Sequence, residues 1–145
     1  MTTDSSPEVS GTEIQERFFA INPNAIEAAG RSVNALLSSR LCEASRAKLK
    51  SSDAWKTMKF RELRRLIKQN CVTDPEFFNP QFSVMEMSFR ILLTHPKDPL
   101  SLTQLHYEIM HVWMESSWPR HIDIASLGRV LTHDTYYGVV EVTPQ

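Results

Sequence analysis

Apolar residues recur at three- and four-residue intervals over most of this chain, the spacing that stacks them on one helix face. The pattern is densest after residue 83. Val84, Met85, Met87, Phe89, Ile91, Leu92 and Leu93 predict a helix over Val84–Thr94 that is apolar on most sides, as a central helix must be. Ser83-x-x-Glu86 opens it as a capping box, and His95-Pro96-Lys97-Asp98-Pro99 ends it. Leu100-Ser101-Leu102 reads as a very short strand. Ser101-x-x-Gln104 is a second capping box, and Leu102, Leu105, Ile109, Val112 and Trp113 carry a helix to about Ser117. A third helix fits Ile124–Leu131, with Asp123 as cap and Ile124, Leu127 and Leu131 inward. Tyr136–Val142 is rich in β-branched and aromatic residues and reads as a strand.

The first half has weaker punctuation. Residues 1–11 are polar and acidic, the composition of a disordered tail. A short helix is expected from a Thr12 cap, with Gln15 completing the box, through Ala20. Asn22-Pro23 starts a second helix, whose stripe Ile26, Ala29, Gly30, Val33, Leu37, Leu41 predicts a run to about Leu49. Ala29 and Gly30 on that stripe suit close approach of another helix. Ser51-Ser52-Asp53 breaks the chain, and a further helix lies within Trp55–Asn70. The prolines of Asp74-Pro75 and Asn79-Pro80 make the next stretch a connection, pinned to the core by Phe77, Phe78 and Phe82. The organisation expected is a tail (1–11), a basic helical region (12–72), an ordered connection (73–82) and a C-terminal domain (83–145). The fold class expected is mainly α: a helical N-terminal half packed on a C-terminal unit with minor β content.

In residues 83–142 the order helix, short strand, helix, turn, helix, strand resembles the winged helix-turn-helix superfamily. Within it, Val84-Met85-Glu86-Met87-Ser88-Phe89-Arg90-Ile91-Leu92 followed by Pro99-Leu100-Ser101-Leu102-Thr103-Gln104-Leu105 resembles the HARE-type domains of transcription-associated proteins. The resemblance implies DNA binding in transcription or replication control, with the third helix entering the major groove and Arg129 on its outward face. A winged helix also ends in a two-stranded hairpin. Here only one strand is expected after residue 132, and Tyr137-Gly138 allows a kink in it.

Charge changes the picture more than composition does. The net charge is −1, yet residues 1–30 carry −4, residues 31–70 carry +8 and residues 71–145 carry −5. The positive field therefore sits in one segment. On the helix within Trp55–Asn70, Arg61, Arg64, Arg65 and Lys68 fall at i, i+3, i+4 and i+7. Arg61–Arg65 and Arg64–Lys68 are like-charge i,i+4 pairs, each costing roughly 0.2–0.5 kcal/mol in an isolated helix, with Glu62 the local relief. Such a stripe points to an anionic partner. Lys56 and Lys59 add to it, and Trp55 and Phe60, among these cations, are read mainly as core. The leading expectation is a non-enzymatic nucleic-acid-binding protein whose stripe neutralises phosphates. The alternative is an adaptor whose stripe docks an acidic protein, and which the chain's own acidic segment Asp4 to Glu16 can cover.

Catalytic chemistry finds no purchase. Glu108-x-x-His111 has a metal-site spacing but no second copy, and His111 is expected to pair with Glu115. The four glycines form no phosphate loop, and no serine or cysteine sits in a nucleophile motif. No metal, cofactor or catalytic residue is expected. Cys42 and Cys71, 29 positions apart, are read as free thiols in a reducing compartment. With no signal-peptide pattern and no apolar run near ~20 residues, the expectation is a soluble intracellular protein, cytoplasmic or nuclear, without a membrane partner.

Overall fold

The computed structural model describes residues 16–43, 45–46 and 54–143. The tail over 1–11, the Thr12/Gln15 cap, the helix end near Leu49 and the Ser51-Ser52-Asp53 break lie outside the described residues. The elements are β1 (Phe18–Ile21), α1 (Pro23–Ala28), α2 (Val33–Ser38), a 3₁₀ turn (Ala54–Lys56), α3 (Phe60–Asn70), α4 (Val84–Thr94), β2 (Leu100–Ser101), α5 (Leu102–Met114), α6 (Ile124–Thr132) and β3 (Val139–Val142).

Helices predominate, but the class is mixed α/β. The strands form one antiparallel sheet in the order β2-β1-β3. β1 is central. Phe18 and Phe19 pair with Ser101 and Leu100 on one side, and Phe18 to Ile21 pair with Val142 to Val139 on the other. This corrects the helix expected through Ala20. Phe19 and Ile21 are buried while Phe18 and Ala20 are half-buried, the period-two burial of a strand. Two neighbours satisfy its backbone groups along both edges. Arg17 anchors the entrance with two hydrogen bonds to Glu141, at 2.9 and 3.0 Å. The sheet thus joins residues 18–21 to the C-terminal half. No strand follows β3 among the described residues.

The long helix expected from Asn22-Pro23 is also corrected. Asn22 caps α1 through the Asn24 N–H, as its sequence suggests, but α1 stops at Ala28. Gly30 has φ +82°, its N–H donates to the Glu27 carbonyl, and the Arg31 N–H donates to the Ile26 carbonyl. That is a left-handed helix stop, which glycine adopts without steric penalty. Gly30 is open, with no side chain or backbone approaching where a Cβ would stand, so it ends a helix and receives no neighbour. Ser32 caps α2 through the Ala35 N–H.

The C-terminal elements follow the hydrophobic pattern closely. α4 buries Met87, Phe89, Ile91, Leu92 and Leu93, and packs against β1, α3, α5 and α6. Its one fully buried polar side chain, Ser88, donates to the Val84 carbonyl at 2.7 Å. Ser83, Ser101 and Asp123 cap α4, α5 and α6 through the backbone N–H three residues on. The capping boxes predicted at Ser83 and Ser101 are each half formed: Glu86 turns its side chain to Arg40, Arg90 and Tyr137, and Gln104 to Glu108. α5 ends at Met114, a few residues before Ser117. β3 starts at Val139 rather than Tyr136, because the Asp134 carboxylate accepts the N–H groups of Tyr136, Tyr137 and Val139 and holds them in a loop. Gly138 (φ +73°) sits where a Cβ would lie 2.5 Å from Ile26 Cγ1, so only glycine lets α1 close on this loop. The connection over 73–82 is pinned as expected: Phe77 is buried, and Phe78 meets it edge-on at 4.8 Å.

Candidate functional site

α3 forms because its inward positions match the core and its start is capped. Leu63 and Ile67 are fully buried, Phe60 and Leu66 partly so. Glu62 Oε1 accepts the Lys59 N–H at 2.8 Å. Glu62 is therefore committed to the helix start, and it is not the relief for Arg65 that its spacing suggests. Trp55 and Phe60 both pack against the core. Asn34 Nδ2 donates to the carbonyls of Trp55 and Met58, at 2.6 and 2.8 Å, which ties the 3₁₀ turn to α2.

The four cations of the stripe have two fates. Arg64 turns inward. Its Nε donates to the Leu93 carbonyl at 2.7 Å and its Nη2 to the Leu92 carbonyl at 2.9 Å. Its Nη1 meets Asp98 Oδ2 at 2.9 Å. Leu92 and Leu93 lie in the last turn of α4, where carbonyls have no partner within the helix and the helix dipole is negative. Arg64 thus caps α4 from a neighbouring helix and is only 15% exposed. Offered as a binding residue by its spacing, it is a structural one that also lines the site.

Arg61 and Arg65 are exposed and Lys68 half-exposed, and none forms a hydrogen bond or ion pair among the described residues. With Arg64, Gln69 and Asp98 they line an open cleft of about 390 Å³. Because Asp98 is balanced by Arg64, Arg61, Arg65 and Lys68 supply its uncompensated charge. They span about 10 Å along the axis. An anion with several oxygens fits this arrangement: guanidinium forks and an ammonium donate, and the Gln69 amide adds a neutral donor.

The other sequence candidates lie around or away from this cleft. Lys59 is exposed at the start of α3, and Lys56 leans over the Trp55 ring at 5.6 Å. Arg129 is exposed on α6, where its Nη2 donates to Ser126 Oγ at 2.9 Å. α6 packs on α4, α5 and β3, so Arg129 is not brought to the stripe. Arg120 lies 4.1 Å over the Trp113 ring and donates to the Phe82 carbonyl. Glu16, counted with the segment able to cover the stripe, instead accepts from Thr103 at the start of α5; the rest of that segment, through Gln15, lies outside the described residues. His111 meets Glu115 at 3.5 Å, while Glu108 accepts from Gln104 and faces His95. No three metal-ligating side chains gather among the described residues.

A second polar cluster had no sequence signal beyond its charges. Glu86 accepts from Arg40 Nη2 at 2.6 Å, Arg40 Nε at 3.0 Å, Arg90 Nε at 2.7 Å and the Tyr137 hydroxyl at 2.9 Å. The three charged side chains are each 11–13% exposed. Burial alone would raise the Glu86 carboxyl, but the hydrogen bonds from Arg40 and Arg90 outweigh it and hold it at about 2. Burial and the bond to Glu86 push the Tyr137 phenol up to about 12. Arg40 is therefore spent inside the fold and drops out of the basic surface.

The chain matches no family model, no curated protein and no solved structure. Function must be read from these side chains alone. No helix among the described residues is long and apolar enough to cross a membrane.

Proposed function

We propose that the exposed face of α3 binds the phosphate backbone of nucleic acid, DNA in the first instance, without catalysis, and serves transcription or replication control. One observation carries the reading: Arg61, Arg65 and Lys68 are unpaired among the described residues and share a cleft whose fourth cation is locked in place. Arg64 fixes α3 to α4, so the helix that carries these cations is held in place. Lys56 and Lys59 extend the field toward the helix start. The winged-helix-like order of residues 83–142 supports the same function class, with Arg129 a secondary contact on α6. The third strand, from residues 18–21 and not from a wing hairpin, favours α3 over a wing as the contact element.

The test is fluorescence anisotropy with labelled duplex and single-stranded DNA at 50 and 200 mM salt. Three neutralised phosphates give a duplex log–log slope of about −2.7, an affinity loss of about forty-fold across that range. The Arg61→Glu/Arg65→Glu/Lys68→Glu variant, which leaves Arg64 in place, should stay folded and lose binding. No binding by the wild type at low salt, or full binding by the variant, overturns the reading.

The pairing of Arg64 with Asp98 favours a second reading, docking of an acidic protein, since this face already accommodates a carboxylate. The double change Arg61→Lys/Arg65→Lys separates the two. Backbone-phosphate binding should keep its salt slope, because the number of charges is unchanged, while bidentate carboxylate docking should weaken.

A further inference from the structure

Cys42 and Cys71 are 29 positions apart in sequence, without a spacing that signals chemistry, yet the fold brings them together. Cys71 is the C-cap of α3, its N–H bonded to the Ile67 carbonyl at 2.9 Å. Cys42 lies on the segment leaving α2. Both are thiols that form no disulfide here, and their sulfurs are 2.6 Å apart. The Cys42 N–H donates to Cys71 Sγ at 3.1 Å, and Ser45 Oγ stands 3.6 Å from each sulfur. Cys71 is fully buried, whereas Cys42 is half-buried and so the more accessible of the two. Two thiols aimed at each other, one more accessible and one sheltered, form an attacking and a resolving pair.

We propose that Cys42 and Cys71 form a redox-active pair, a modification site that closes to an intramolecular disulfide by exchange with a small disulfide such as oxidised glutathione. Cys42 loses its proton to water, and its thiolate attacks one glutathione sulfur. A Cys42–glutathione bond forms, the glutathione disulfide bond breaks, and the first glutathione thiolate leaves and is protonated by water. Cys71 then gives up its proton and attacks Cys42 Sγ. The Cys42–Cys71 bond forms, and the second glutathione leaves carrying that proton. Two protein thiols are oxidised and one glutathione disulfide is reduced to two thiols, so atoms and electrons balance. Burial, and the hydrogen bond to Cys42, push the Cys71 thiol up, which agrees with the geometry in making Cys42 the first attacking sulfur. The new bond would staple the exit of α2 to the end of α3, three residues beyond Lys68.

The full chain is equilibrated with graded ratios of oxidised to reduced glutathione, quenched with acid and alkylated. Free thiols are then counted by intact mass, and cross-linked peptides are mapped. The wild type should lose both thiols in a single step, with a mass lower by about 2 Da, no retained adduct and a peptide joining Cys42 to Cys71. A Cys71→Ala variant that folds should instead accumulate glutathione on Cys42. The wild type decides the matter without the variant. Two thiols surviving a large excess of oxidised glutathione, a stable adduct on Cys42, or a disulfide only between chains would each overturn the proposal.

Discussion

Two clusters of cations share this small protein and behave oppositely. Arg40, Arg64 and Arg90 are turned into the fold, where each meets both a carboxylate and a backbone carbonyl. Arg61, Arg65 and Lys68 face outward from α3 with no such partner among the described residues. Residue type does not separate the clusters, and neither does helical spacing, since Arg64 and Arg65 are neighbours. Acceptors do. A guanidinium settles inside only where buried oxygens repay its lost hydration, as at Glu86 and at the open end of α4. A cation left without such an acceptor stays at the surface, available to an external anion.

Breaking the buried cluster should have the largest effect. Glu86→Gln leaves Arg40 and Arg90 without their counter-charge and should destabilise the protein by about 3–5 kcal/mol in urea unfolding. A loss under about 1 kcal/mol would mean that water reaches these guanidinium groups. Acid probes the same carboxylate. Its folded pKa is about 2 against an ordinary 4.5. A lowered pKa stabilises above the unfolded value, so this contribution is intact above about 4.5 and is lost as pH falls toward 2. The shift corresponds to about 3 kcal/mol. The difference between wild type and Glu86→Gln, measured as unfolding free energy against pH, should show that loss and isolate Glu86 from the other carboxylates.

Arg64→Ala comes next. It removes two hydrogen bonds to the end of α4 and the pairing with Asp98, and should cost about 2 kcal/mol. Arg65→Ala, one position away, should change stability by no more than about 0.5 kcal/mol while weakening DNA binding. Equal stability losses at the two positions would erase the distinction between the inward and outward cations. The smallest effect has the opposite sign. Arg61→Glu relieves the i,i+4 repulsion with Arg65 and places an acid in the first turn of α3, so it should raise stability by about 0.5 kcal/mol. A thermal midpoint lower than that of the wild type would show that Arg61 holds an internal contact.

Much of the C-terminal fold was legible in the chain. Ser83, Ser101 and Asp123 announce helix starts, and the apolar spacing after each announces the inward face. Both signals act within about one helical turn, so a linear reading captures them. β1 was not legible: Phe18 to Ile21 is a strand only because β2 and β3, some eighty and one hundred and twenty residues later, supply its hydrogen bonds. The early stop of α1 was written in Gly30, but an apolar stripe running through it masked the signal. Glu86 looked like half of a capping box because the box is defined locally, whereas its partners Arg40 and Tyr137 come from distant segments.

The candidate site divides the same way. The sequence by itself determined that α3 carries its cations on one side and Leu63 and Ile67 on another, since helical periodicity alone places them. Only the tertiary structure decided which of those cations remain available. That choice depends on where the unpaired carbonyls of Leu92 and Leu93 and the carboxylate of Asp98 come to rest. A cation's fate is set by acceptors within about 3 Å, and those are assembled by packing between segments that the order of residues does not connect.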